Sequence, residues 1–407
     1  MRSILPILFA FTLTAVSTAQ NEPIPAGQNP QSTPTVTGVL GGPRVPVFVT
    51  PQQMCDSNDL PDAMARAFRD STGTVHLVAA ATDLYQSLGP TLESAVHTCD
   101  AGYHSVNDGN PADYDDTVWI DSFYTFDGKK VAGLSHTEYH GWSFPGECHT
   151  KNIFLCEFDS DTFHISYDGG YHFDQSKAPA NLVAGLPYKY AIDRGPMGYS
   201  VDTNIIEWNG WYYAMVTDDG SWPLGCSGQT GPNRCLSQGG GAPIRTQDVF
   251  DPSSWRGWSG SDFSVQFVDP YAGPVKRPEE HVYTPVPYMS FVTSINIYQP
   301  ANIVVATIFN GYDNEYGPEG LYLTTSTDLV NWTTPTLVIT LAKLLEQEPT
   351  GNWQYAYFTL LDPAAPDMNF STIGDQPYLY YVRLNNDSYL GRTLFRQPIQ
   401  LSVNPAR

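Results

Sequence analysis

Basic residues are scarce in this chain, and no long apolar run follows the N-terminus. Twenty Lys and Arg stand against 42 Asp and Glu, a formal net charge of −22. A field of that sign repels phosphate backbones and anionic bilayers, which argues against nucleic acid or a membrane surface as a partner. The one apolar run, Ile4 to Val16, falls short of the ~20 residues a transmembrane helix needs. Met1-Arg2-Ser3 precedes it and Ser17-Thr18-Ala19 follows it, so residues 1–19 read as a signal peptide rather than a retained anchor. Catalytic and ligand-binding fingerprints are missing as well. There is no G-x-S-x-G elbow, no Walker loop and no G-x-G-x-x-G. Gly239-Gly240-Gly241 has no helix after it and reads as a flexible turn.

Cysteine is sparse but even in number. None of the six (Cys55, Cys99, Cys148, Cys156, Cys226, Cys235) has C-x-x-C spacing, so a zinc cluster is disfavoured. In an oxidising compartment they pair. Short separations favour Cys148–Cys156 and Cys226–Cys235 among the ~15 connectivities, leaving Cys55–Cys99. Asn331, Asn369 and Asn386 head N-x-S/T sequons, the acceptors of an exported glycoprotein. The expected location is extracellular.

Aromatic residues are abundant: 25 Tyr, 19 Phe and 9 Trp. They suit β-structure and sugar-stacking surfaces alike. Residues 20–43, rich in Pro, Gly, Thr, Gln and Asn, read as a disordered leader, and residues 44–407 as one domain. Within that domain a pattern recurs five times: a strand, a turn, then a strongly apolar strand. The turns are Asp70–Gly73, Asp127-Gly128, Asn209-Gly210, Gln299-Pro300 and a longer connection before Tyr378. Asp-Gly and Asn-Gly between apolar runs are strong hairpin signals. The pattern predicts an all-β fold, a five-bladed β-propeller with about four antiparallel strands per blade. A sandwich or a parallel β-helix is the alternative.

Ser166-Tyr-Asp-Gly-Gly-Tyr-His-Phe173 resembles the Asp-box turn of sialidase-type propellers. Ser326-Thr-Asp-Leu-Val-Asn-Trp332 resembles the blade turn of five-bladed glycoside hydrolases of families 43, 32 and 117. The resemblance implies a propeller and a carbohydrate substrate. It carries no catalytic signature across, since neither W-M-N-D-P-N-G nor an E-C acid motif is present.

In such propellers the loops entering the innermost strands and leaving the second strands open on one face. Entry positions hold Asp59 and Asp62, then Asp113, Asp115 and Asp116, then Asp202, His281 with Tyr283, and Tyr355. Exit positions hold Asp83, the run His136-Thr-Glu-Tyr-His140, Asp218-Asp219, and Asp313-Asn-Glu315. His136, Glu138 and His140 are spaced to face one way on a strand. Imidazoles flanking a carboxylate tune its pKa for proton transfer. The same trio could bind a metal or simply form a polar rim; the expectation is catalysis with no metal or cofactor required. Glu138 is thus the expected acid and Asp62 the expected base, held ionised by Arg66 or Arg69, with Asp116 a third carboxylate. His136, His140, Arg66 and Asp202 are expected to bind substrate, and Trp119, Tyr283, Tyr355 and Trp222 to offer stacking surfaces. One of the acidic entry residues could instead hold a structural calcium. The expected activity is hydrolysis of an extracellular poly- or oligosaccharide by a monomer. A polysaccharide lyase using His136 or His140 with a tyrosine and an arginine is the runner-up, and a non-catalytic glycan-binding propeller is the third reading.

Overall fold

Turn chemistry decides where the strands reverse. Asp127-Gly128 lies in the turn between Val118–Thr125 and Val131–His140, and Asn209-Gly210 joins Ile206–Trp208 to Trp211–Asp218. Gly128, Asn209 and Gly210 all take positive φ, where glycine carries no Cβ penalty and asparagine a small one. Between Arg66–Arg69 and Val75–Val78, the Asp70 carboxylate accepts the Thr72 and Thr74 N–H groups. The computed structural model describes residues 33–79, 81–201, 203–218, 240–310 and 317–405. Among them the single α-helix is Leu341–Leu345, and no helix is long and apolar enough to cross a membrane.

The fold is all-β. One five-stranded sheet runs Thr35–Leu40, Arg392–Asn404, Tyr378–Asn385, Trp353–Leu361, with Val45–Val49 also on the Arg392–Asn404 strand. Another runs Thr336–Thr340, Gly320–Ser326, Ile303–Asn310, Val292–Tyr298, Thr372–Ile373. A four-stranded sheet begins at Arg66–Arg69. An eleven-stranded sheet contains Val118–Thr125, Val131–His140 and Glu157–Ser166, and continues through Met197–Val201 into Trp211–Asp218 and Gly240–Thr246. Its two halves meet at the parallel pairs Phe158–Met197 and Asp159–Gly198. Gly198 is required there, because a Cβ would stand 2.1 Å from the Asp159 carbonyl oxygen.

The inner strands pack side by side in series, as in a propeller. Arg66–Arg69 packs on Val118–Thr125 to one side and on Trp353–Leu361 to the other. Trp353–Leu361 packs on Val292–Tyr298, which meets Trp211–Asp218. Arg66 ties these strands together. It donates to the carbonyls of Asp121 (2.9 Å) and Thr293 (3.0 Å) and to Thr359 Oγ1 (3.1 Å), linking four inner strands.

Part of the segment 20–43, expected to be disordered, is ordered in a strand. Thr35–Leu40 is an outer strand, in register with the C-terminal strand from Thr35 opposite Asn404 to Leu40 opposite Ile399. Val36 is buried, so the segment covers an edge that would otherwise expose the sheet's core. Cys55–Cys99 and Cys148–Cys156 are bonded, while Cys226 and Cys235 lie outside the described residues. The two aromatic-anchored turns are structural. Asp168 Oδ1 accepts from Tyr171 and His172, and Asp328 Oδ1 from Val330 and Asn331. Of the sequons, Asn331 is exposed, whereas the Asn369 amide is spent on the Thr125 backbone (2.8 and 2.9 Å).

Candidate functional site

The Val131–His140 strand sorts its side chains by period two near its end. Ser135, Thr137 and Tyr139 are buried, while His136, Glu138 and His140 keep partial exposure. Glu138, 26% exposed, sits between the two imidazoles. His140 Nε2 lies 2.7 Å from Glu138 Oε2, and His136 Nε2 lies 3.5 Å from Oε1. Each imidazole is anchored on its far side, His136 Nδ1 at Asp121 Oδ2 (3.0 Å) and His140 Nδ1 at Thr117 Oγ1 (3.3 Å). Indole rings stack on both, Trp119 on His136 at 4.9 Å and Trp142 on His140 at 4.1 Å.

Charges follow from that arrangement. Burial opposes ionisation of Glu138, but the hydrogen bonds from His136 and His140 outweigh it and pull the carboxyl down to about 2. Burial also opposes a charge on His136, yet its bonds to Asp121 and Glu138 hold it well above the ordinary histidine range. At neutral pH the trio is therefore an ionised carboxylate beside a protonated imidazole.

Asp62 is also partly exposed. It is ion-paired with Arg392 and accepts the Tyr357 hydroxyl at 3.0 Å. Burial and then the Asp62 charge push the Tyr357 phenol well up, and Tyr389 is raised by the same two causes. Both phenols also feel the Glu138 charge. Tyr357 and Tyr389 therefore lie near both carboxylates. Tyr357 reaches Asp62 because the Trp353–Leu361 strand bulges between Ala356 and Thr359, with Tyr357 at φ 60°.

Several expected roles are corrected by these positions. Arg66 does not hold Asp62 and cannot bind substrate, since it is 2% exposed and its guanidinium is consumed in tying the inner strands together. Arg69 instead donates to the Asp367 carbonyl and lies over the Phe370 ring. Tyr283 is a core residue, stacked on Tyr199 at 4.7 Å with its hydroxyl donating to the Gly240 carbonyl. Tyr355 is fully buried against Arg44 and Glu348, whereas it is Tyr357 that bonds Asp62. Asp116 is buried and accepts the His140 backbone N–H at 3.0 Å, so it shapes the strand end rather than meeting a sugar. Trp119 is 8% exposed and its face is covered by His136. Asp202, Trp222, Asp219 and the Asp313–Glu315 run lie outside the described residues. Nearby Asp115 is pushed up to about 6 by burial and by Asp108, Asp113 and Asp116. Sequence reasoning missed Asp121, Tyr357, Tyr389 and Arg392. Only Asp121, an acid inside the apolar inner strand Val118–Thr125, left a local signal.

No family model matches the chain, and no curated protein does either. Solved structures resemble it at low identity. The catalytic domain of a family 62 α-L-arabinofuranosidase from Coprinopsis cinerea is 12% identical, covering 91% of this chain and 98% of its own, with a TM-score of 0.46. A family 43 enzyme from Xanthomonas citri complexed with xylose is 10% identical over 87% of this chain and 89% of its own, TM-score 0.47. A family 117 glycoside hydrolase from Zobellia galactanivorans is 10% identical over 91% of both chains, TM-score 0.46.

Three groups of described residues bring metal-ligating atoms together: Cys55, Asp59 and His97; Cys148, Cys156 and Asp193; Glu138, His140 and Glu157. The first two contain disulfide sulfurs, which do not ligate as thiolates. That leaves the third, which shares Glu138 with the carboxylate pair. Chemically, the site offers an ionised carboxylate coupled to imidazolium and a second carboxylate paired with a guanidinium. Such a set can move protons to or from a polar substrate.

Proposed function

We propose that this chain is an exported glycoside hydrolase acting on a poly- or oligosaccharide, working as a monomer at the mouth of a five-bladed propeller. The blade count takes the eleven-stranded sheet as two blades, divided where Met197–Val201 begins a new inner strand. What supports the activity is that two partly exposed carboxylates from distant chain positions, Asp62 bonded by Tyr357 and Arg392 and Glu138 held between His136 and His140, both lie close to Tyr357. Glycosidic hydrolysis needs that pair, one group protonating the leaving oxygen and the other activating water or attacking carbon.

Glu138 held at about 2 does not carry its own proton at neutral pH. In this reading the proton rests on His136, stabilised by Asp121, and reaches the glycosidic oxygen through Glu138 as the bond breaks. Asp62, aligned by Arg392 and Tyr357, is the base. Export is supported by the two disulfides, and an anionic partner is disfavoured by the net charge of −22. The test is a polysaccharide panel read by new reducing ends, with Glu138→Gln and Asp62→Asn each expected to lose about 10²–10⁴-fold in rate. Retention of full activity by both variants on a cleaved glycan would remove the assignment.

One observation favours a second reading. The Tyr357 phenol and the Arg392 guanidinium both bond Asp62, and a tyrosine with an arginine and an imidazole suits β-elimination by a polysaccharide lyase. Elimination leaves an unsaturated, ultraviolet-absorbing product, which hydrolysis does not.

A further inference from the structure

We propose that Glu138, His140 and Glu157 form a site for one divalent first-row metal ion, with zinc as its reference occupant. His140 and Glu157 stand directly opposite each other on paired antiparallel strands, and Glu138 lies two residues back on the same face. Their donor atoms all lie within 4.8 Å of one another. Modest rotation of the carboxylates would bring that spread toward the roughly 3.4 Å edge of a tetrahedron with ~2.1 Å bonds.

The surroundings orient these groups as outer partners orient metal ligands. A ligating histidine has its second ring nitrogen fixed by an oxygen, which aims the first. His140 shows this: Nδ1 meets Thr117 Oγ1, and Nε2 faces Glu138. Trp142 stacks on the ring, and Asp116 fixes the His140 backbone. His136, backed by Asp121, approaches the other oxygen of Glu138, leaving Oε2 toward His140. Glu157 follows Cys156, which the disulfide to Cys148 ties down. Ligands on strands hold geometry better than ligands on loops.

An imidazole nitrogen with two carboxylates selects a first-row ion over calcium, which prefers oxygen donors throughout. Three protein ligands leave a fourth position open, as in catalytic rather than structural zinc sites. A bound ion would also occupy the Glu138 carboxylate through which the proposed proton transfer passes. If the hydrolase reading above holds, zinc then inhibits cleavage. The binding claim does not depend on that reading, since it is measured without substrate.

The experiment is isothermal titration of the full, disulfide-bonded chain with ZnCl2 at pH 7.5 after chelator treatment. We expect 1:1 binding, calcium at least tenfold weaker, and a melting temperature raised by zinc. Glu157→Gln and His140→Asn should each weaken zinc at least tenfold and abolish the melting shift. His172→Asn, at the exposed His172–Asp168 pair, should leave both unchanged. Should His140→Asn not fold, Glu157→Gln, whose side chain is only partly buried, carries the comparison. Absence of zinc binding up to millimolar concentration overturns the site. So does 1:1 binding that Glu157→Gln leaves untouched, or calcium binding tighter than zinc.

Discussion

His164 should make this protein lose stability in acid in a way that one substitution removes. The residue is fully buried in the Glu157–Ser166 strand, edge-on to Tyr103 at 4.8 Å, and neither ring nitrogen has a hydrogen-bond partner. Burial alone pushes its pKa down to about 3. The unfolded chain takes up the same proton near the ordinary value of ~6.5. Between those values the unfolded state holds more protons, so stability is complete above about pH 6.5 and falls as pH drops, by about 1.4 kcal/mol per unit. At pH 4.5 the loss from this residue is about 3 kcal/mol. His164→Phe keeps the aromatic volume and cannot titrate. Urea midpoints of both proteins at pH 7.0, 5.5 and 4.5 give the difference directly, because other titrating groups cancel. The gap in unfolding free energy should widen in favour of Phe by about 3 kcal/mol across that range. A gap that stays constant with pH would refute the claim that His164 is buried neutral.

The other expectations concern the ring and its mouth. Arg66→Met should cost about 3 kcal/mol or more in denaturant unfolding, since it strands carbonyls of two inner strands and the Thr359 hydroxyl. Gly198→Ala should cost about 2–4 kcal/mol, because its Cβ overlaps the Asp159 carbonyl where the halves of the large sheet join. Tyr357→Phe should lower kcat on a cleaved glycan by about tenfold, while Tyr283→Phe should leave kcat unchanged, a contrast read in one steady-state assay. Cys148→Ser combined with Cys156→Ser should lower unfolding stability by about 2–3 kcal/mol, measured under non-reducing conditions.

What the sequence revealed was what local rules control. The hairpins at Asp70, Asp127-Gly128 and Asn209-Gly210 were legible because a turn needs only its own few residues. The shared face of His136, Glu138 and His140 was legible because strand periodicity is two. Long-range partners were not. Arg392 lies 330 positions from Asp62, and no spacing rule ranks it above Arg66, four residues away. The strand at Thr35–Leu40 was hidden for the same reason, its partner being the far end of the chain. Tyr355 was chosen because it directly precedes the apolar run Ala356–Leu361, and nothing local reveals that the strand begins earlier, at Trp353, and bulges after Ala356 so that Tyr357 meets Asp62.

Arg66 shows why depth along an inner strand matters as much as facing. Its side chain turns inward as expected, but halfway down the ring the interior is filled by protein. There a charged group meets the backbone carbonyls of neighbouring strands, and hydrogen-bonding them is cheaper than leaving any buried polar group unpaired. Asp62 precedes the same strand by four residues, and Glu138 and His140 end another; there the strands diverge and side chains keep 15–26% exposure. Inward-facing polar residues in a closed ring therefore divide by height. Those at the waist hold the sheets together, and those at the mouth remain available for chemistry. On that division Asp121 falls between, close enough to the waist to be buried and close enough to the mouth to bond His136. It is the residue through which a change in the ring would reach the proton on His136.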